Sequence, residues 1–266
     1  MAPLLLWLLL FVIVPTGMLV LYSFMQRDGL GRIVFEFSWE NYVRAFDWIW
    51  LRILLVSIWY AFLTTVICMA VGYPAAYFIG RAPERWRNLL MTLVMVPFWT
   101  SFLIRTYAWI SILSSEGLLN ATLQSAGITT APIGFMYTPF AVVLGLVYTY
   151  LPFMILPIYS SVERLDGAMI EAAYDLGAGP VRAFSKVIIP LTRPGIVAGT
   201  LLVFVPSIAM FAITTLMGGG TNPTIGETIQ KQFTSAGNQP FGAALGTLLL
   251  LLFLASLWLT RSRSAE

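Results

Sequence analysis

The segment Glu171-Ala172-Ala173-Tyr174-Asp175-Leu176-Gly177 carries the most legible chemistry in the 266-residue chain. Glu171 and Asp175 are four residues apart, so a helix puts both carboxylates on one face. Arg182 and Lys186 repeat the spacing a few residues later with the opposite charge. The two charged faces are joined by Gly177 and Gly179. The rest of the sequence excludes most catalysis. It has no histidine, the commonest general base and metal ligand, and its single cysteine, Cys68, lies in an apolar run. No catalytic residue and no metal ligand is assigned, and the chain is not expected to be an enzyme. Solubilising charges on a surface loop would explain the acids and bases, but not the loop's length or its strict Gly and Pro punctuation.

A second group sits among apolar residues. Arg105 is the only charge inside a predicted span. Burying an arginine in a bilayer costs about 3 kcal/mol or more, so it should face a bundle interior or an aqueous cavity, or snorkel to the outer interface. Like-charge repulsion makes it a poor ligand for a cationic solute and a better gate or inter-subunit ion-pair partner. Trp99 and Tyr107 flank it; their rings either attract alkyl-ammonium groups or face lipid, as membrane aromatics often do. Met210, Phe211, Thr214 and Thr215 follow Pro206 and form a candidate second wall of a substrate pathway.

The elements that position these residues follow from composition. The chain is 59% hydrophobic and only 10% charged, against about 25% charged in soluble domains. Residues 1–26, 53–80, 88–104, 117–162 and 194–226 contain no Asp, Glu, Lys or Arg. Such runs approach or exceed the roughly 20 apolar residues that cross a hydrocarbon core. Apolar stretches such as Leu4–Leu10 and Gly246–Leu254 do not alternate, which excludes barrel strands. The expected fold is therefore all-α and polytopic, a single transmembrane domain over 1–266. Its six helices are expected at about 2–25, 53–79, 89–113, 139–160, 196–217 and 241–260. Residues 1–25 lack a basic leading segment and a clear small-residue cleavage site, so they read as a retained helix rather than a signal peptide.

Lys and Arg positions give the orientation. Loops 80–88 and 161–195 and the tail hold nine basic residues, among them Arg81, Arg85, Arg87, Arg261 and Arg263, against five in the opposite loops. Both termini are expected in the cytoplasm. The scatter of these bases among loops argues against a nucleic-acid partner. Pro15, Pro74, Pro97, Pro152, Pro157 and Pro206 fall in spans and suggest bent helices around a pathway. Asn120-Ala121-Thr122 matches a glycosylation sequon by chance, and Gly117–Gly127 is expected to form a short amphipathic helix on the outer face.

Within loop 161–195, local chemistry predicts a helix over Met169–Leu176, a stop at Gly177, a second helix beginning at Pro180 and ending at Pro190. The stretch "EAAYDLGAGPVRAFSKVIIPLTRPG" resembles the EAA loop of bacterial ABC-importer permeases, with Glu171, Ala172, Ala173, Gly177 and Ile188-Ile189-Pro190 at the pattern's positions. "GYPAAYFIGRAPERWR" (72–87), "VPFWTSFLIRTYAW" (95–109), "PFAVVLGLVYTYLPFMILPIYSSVERLD" (139–166), and "LMGGG" with "IGETIQKQF" (216–233) look like spermidine/putrescine-type permeases, in particular the subunit that pairs with a second, different permease.

This resemblance implies a type I ABC-importer permease of the bacterial inner membrane. Loop 161–195 would contain the coupling helix, with Glu171, Ala172, Ala173, Asp175 and Gly177 docking on a dimeric ABC ATPase. ATP and Mg²⁺ would bind that partner, since this chain has no phosphate-loop motif and no cofactor of its own. An extracytoplasmic solute-binding protein would deliver the solute, a polyamine or similar organic cation. Family members can carry an acidic residue just before the Met-Gly-Gly stretch. Here Thr214 and Thr215 stand there, which leaves open an amino-acid derivative, opine, thiamine-like cation or metal complex. A secondary transporter or channel would bury carboxylates or histidines for ion coupling, and this chain is expected to bury neither. A membrane enzyme would need a nucleophile–base pair or metal cluster, which is absent.

Overall fold

The computed structural model describes residues 6–28 and 32–263. Met1–Leu5, the start of the first expected span, and the side chains of Arg261 and Arg263 lie outside the described set. The described chain is overwhelmingly helical. Its β-structure is one antiparallel pairing, Gln26–Arg27 against Ile33–Val34, with Gln26 opposite Val34.

Among the described residues, five helices are long and apolar enough to cross a membrane: α1 Leu6–Ser23, α3 Trp48–Arg81, α7 Pro139–Glu163, α9 Pro180–Ala209 and α12, whose spanning part is Gln239–Ser256. Shorter helices are α2 Glu40–Ala45, α6 Leu118–Ser125, α8 Gly167–Asp175, α10 Ala212–Gly218 and α11 Ile225–Phe233.

The sixth span is not one helix. The segment expected at 89–113 consists of α4 Glu84–Trp99 and a helical arm over Phe102–Ser125, bent by 91°. The arm begins with α5 Phe102–Leu113 and ends with α6. The cause is local. Pro97 cannot donate a backbone bond, and α4 tightens into a 3-10 turn over Val96–Trp99. Thr100 and Ser101 then take extended ψ values of 143° and 134°. Thr100 Oγ1 donates to the Pro97 carbonyl at 2.9 Å, which supplies a partner for a group the helix has left behind.

Two other expectations change. Pro190 does not end a helix, because α9 runs unbroken from Pro180 to Ala209. A π turn over Phe184–Ile188 precedes the proline, with Ile189 N–H bonded to Phe184 O. That wide turn displaces the carbonyl that the proline ring would otherwise strike. The span expected at 196–217 also breaks, at Met210, whose ψ of 121° separates α9 from α10.

The chain divides into two compact units, Met1–Ser57 with Pro223–Glu266, and Ile58–Asn222. In the first, α12 packs along α1 and against α2 and α11. Phe241 is fully buried there, with the Arg44 guanidinium 4.5 Å from its ring centroid and the Trp50 ring 4.9 Å away. The Ile225 N–H donates to Ser57 Oγ at 2.7 Å and anchors the start of α11.

In the second unit, α7 and α9 form the main packing interface. Gly195 and Gly199, four residues apart, let the backbones close in. A Cβ on Gly195 would sit 2.5 Å from the Pro157 carbonyl oxygen, and one on Gly199 2.9 Å from Met154 Sδ. Small residues at this spacing are how membrane helices gain contact when lipid offers no hydrophobic drive. α10 packs on both α5 and α7, so the elements flanking the two helix breaks share one neighbourhood.

Candidate functional site

The loop after α7 forms a closed helical hairpin. Asp166 caps α8, its side chain accepting from Ala168 N–H at 3.0 Å. At the far end Gly177 has φ +80°, a left-handed conformation that glycine adopts without side-chain strain. Its N–H bonds to Tyr174 O at 2.9 Å, and Ala178 N–H to Ala173 O at 3.0 Å, which closes the C-terminal carbonyls. Pro180 then takes the first helical position of α9. The hairpin is tied to α3 by Phe184, edge-on to Tyr73 at 5.5 Å and to Tyr77 at 6.2 Å. About two turns further along α9, Thr192 Oγ1 lies 2.9 Å from Tyr73 Oη.

The five residues expected on the docking face do not share a side. Glu171, Ala172, Asp175 and Gly177 are exposed, whereas Ala173 is buried with Ile170 on the inner face of α8. Ala173 therefore packs the hairpin. Glu171 and Asp175 make no ion pair among the described residues. The sequence reading missed two neighbours, Leu176 (88% exposed) and Val181 (81% exposed), which flank the Gly177 turn. Large apolar side chains this exposed give the outer side of the hairpin an apolar centre beside acids that are unpaired among the described residues. The available signal was Leu176, an apolar residue immediately before the helix stop at Gly177, where helical periodicity no longer buries it.

The pathway candidates gather around the two breaks. Trp99, at the end of α4, is 80% exposed, and Tyr107 on α5 is 56% exposed. Arg105 is half-buried. Its guanidinium lies over the Tyr148 ring at 5.8 Å, and its Nε is buried with no hydrogen-bond partner among the described residues. Phe98 and Trp109 bracket this segment against α7, edge-on to Phe153 at 5.0 Å and to Tyr148 at 5.6 Å. At the second break, Phe211 and Thr215 are exposed and Met210 is half-buried. Thr214 behaves differently. It is 3% exposed, and its hydroxyl donates to the carbonyls of Met210 at 3.2 Å and Phe211 at 2.9 Å, stitching the restart of α10.

The expectation of no buried acid needs correction. Glu227, on α11 outside the spans, is 1% exposed. Its Oε1 accepts from Lys231 Nζ at 2.6 Å, and its Oε2 has no partner among the described residues. α11 was not read as buried because its sequence is polar, and its packing on α12 helps take Glu227 out of water. The sequon residue Asn120 is also buried. Its amide donates to Ser114 O and Ile133 O at 3.0 Å each, and its Oδ1 accepts from Ile133 N–H at 2.8 Å, an internal clamp for the loop.

The chain is 44% identical to the spermidine/putrescine transport system permease protein PotB of Salmonella typhimurium, covering 97% of this chain and 93% of that protein. It is 43% identical to the Escherichia coli PotB, with 98% of both chains covered. The inner membrane ABC transporter permease protein YdcU of Escherichia coli is 30% identical over 76% of this chain and 69% of that protein. Among solved structures, a bacterial ABC transporter involved in import of the acidic polysaccharide alginate aligns with TM-score 0.71 at 18% identity, covering 98% of this chain and 93% of that one. At that identity the likeness concerns the fold. Residues 72–262 match the model of one family across both helix breaks and the hairpin, and the chain belongs to that family, the binding-protein-dependent transport system inner membrane components.

Proposed function

We propose that this permease component imports a polyamine, spermidine or putrescine, handed over by a solute-binding protein and driven by a separate ATPase. The reading of the solute rests on identity of 43–44% to spermidine/putrescine permeases over nearly the whole chain. The chain forms one half of the pathway, and a second, different permease forms the other. Trp99, Tyr107, Met210, Phe211 and Thr215 face the pathway, with aromatic rings to attract alkyl-ammonium groups. Arg105 pairs across the permease interface or gates the path. The hairpin of α8 and the start of α9 docks on the ATPase through Glu171, Ala172, Asp175, Leu176, Gly177 and Val181. Because α9 is continuous from Pro180 to Ala209, movement of the docked hairpin travels along a single rigid element to the break at Met210. ATP and Mg²⁺ bind the ATPase, this chain carries no catalytic group, and both termini lie on the cytoplasmic side of the inner membrane.

The test is uptake of radiolabelled spermidine and putrescine by proteoliposomes holding this chain, its partner permease, ATPase and binding protein. ATP-dependent accumulation of either polyamine, competed by the other, is the expected result. Robust uptake of an unrelated solute with none of either polyamine would overturn the substrate assignment.

A further inference from the structure

A cavity of about 690 Å³ lies where α3 ends and α4 begins, lined by Tyr77, Phe78, Arg81, Trp86 and Leu90 among others. Its walls are almost wholly apolar, and Arg81 is the only charged residue that lines it. The turn between the helices carries three arginines with different surroundings. Arg87 is engaged, 3.3 Å from Glu163. Arg81 and Arg85 are exposed and make no hydrogen bond or ion pair among the described residues. Phe78 and Trp86, 68% and 58% exposed, stand on either side of the Arg81 position.

We propose that this groove binds an anionic phospholipid of the leaflet on the basic-loop side, its phosphate on Arg81 and part of an acyl chain along Phe78, Trp86 and Leu90. The location selects the occupant. Arg81 is the last residue of a 34-residue apolar helix, so the groove straddles the boundary between hydrocarbon and headgroups. Tyr and Trp favour that depth, and unpaired basic residues there attract anionic lipid. A free phosphate would use Arg81 but none of the apolar wall. A zwitterionic lipid would use the wall but gain little from an uncompensated guanidinium. The site is independent of which solute is transported. Through the Tyr77–Phe184 ring contact it also adjoins the hairpin.

The experiment is native mass spectrometry of the full chain in mild detergent, titrated with phosphatidylglycerol or phosphatidylcholine. One phosphatidylglycerol per chain should be retained about fivefold more than phosphatidylcholine, the preference expected of one basic residue at the surface. Arg81→Gln should abolish that preference, and Arg81→Lys should keep most of it. Phe78→Ala combined with Trp86→Ala should weaken both lipids. Glycerol 3-phosphate at equal concentration should displace neither. Equal retention of the two lipids by the wild type, or an unchanged preference in Arg81→Gln, overturns the proposal. Displacement by glycerol 3-phosphate would instead mean a free-phosphate site, and displacement by added ATPase subunit would mean a protein dock; either result refutes the lipid assignment.

Discussion

Lys231 Nζ donates to Glu227 Oε1 at 2.6 Å across one turn of α11, with the lysine side chain 48% exposed and the glutamate 1% exposed. The carboxylate is removed from water while the lysine stays half in it. Breaking a buried pair costs roughly 3–5 kcal/mol when a charge is stranded, and screening of the exposed lysine reduces that. Lys231→Met should therefore destabilise by about 2 kcal/mol. Glu227→Gln strands only a lysine that can turn to solvent, and should cost about 1 kcal/mol or less. Thermal unfolding in detergent reads the order. A larger loss from Glu227→Gln than from Lys231→Met would show that the buried carboxylate is not the costly partner.

In the hairpin, two glycines separate conformation from space. Gly177 has φ +80° and Gly179 has φ −71°, and nothing lies within 4 Å of a Cβ built on either. Gly177→Val should strain the backbone by about 1–3 kcal/mol, while Gly179→Ala should be nearly silent. Weakened ATPase co-purification and lost uptake are expected for Gly177→Val, with normal membrane insertion. Wild-type association in Gly177→Val would show that the turn does not shape the docking face.

Charge reversal tests the same face without altering the turn. Glu171 is exposed and unpaired among the described residues, so Glu171→Arg has no internal pair to break. It should leave the melting temperature unchanged and reduce ATPase association about tenfold or more, about 1.4 kcal/mol. Leu176→Asp should act similarly by placing charge at the apolar centre of the face. If both variants bind ATPase normally, residues 167–181 are not the dock.

The α7–α9 interface predicts the opposite phenotype. Gly195→Val places a branched side chain where even a Cβ would be 2.5 Å from Pro157 O. Overpacking of this kind costs about 1–3 kcal/mol, so a lower melting temperature and poor accumulation in the membrane are expected. A variant as stable as wild type would mean that the two helices separate readily.

Trp99, 80% exposed, contributes little packing within the chain. Trp99→Ala should lower polyamine uptake severalfold with a melting shift near zero, and Trp99→Phe should restore much of it through the retained ring face. Uptake equal to wild type in Trp99→Ala would assign the ring to lipid instead.

Composition and charge placement determined the class of this protein, because a chain with few charges and long apolar runs has no alternative to satisfying its backbone inside helices. Local chemistry also determined the hairpin: Gly177 as the stop and Pro180 as the restart are properties of those residues wherever they stand. Tertiary structure decided the rest. The 91° bend after Pro97 and the break at Met210 are closed by side-chain hydroxyls, Thr100 on the Pro97 carbonyl, Thr214 on those of Met210 and Phe211, and Tyr150 of α7 on that of Pro206, and no periodicity records such bonds. Pro190 reads as a terminator, yet a π turn one residue earlier carries α9 past it. Ala173, expected on the docking face, is buried because the hairpin folds back on itself and covers one face of α8. Glu227 is buried for the same kind of reason: α11 is polar in sequence, and its seat on α12 helps remove one carboxylate from water, since burial depends on distant segments meeting and not on the residue itself.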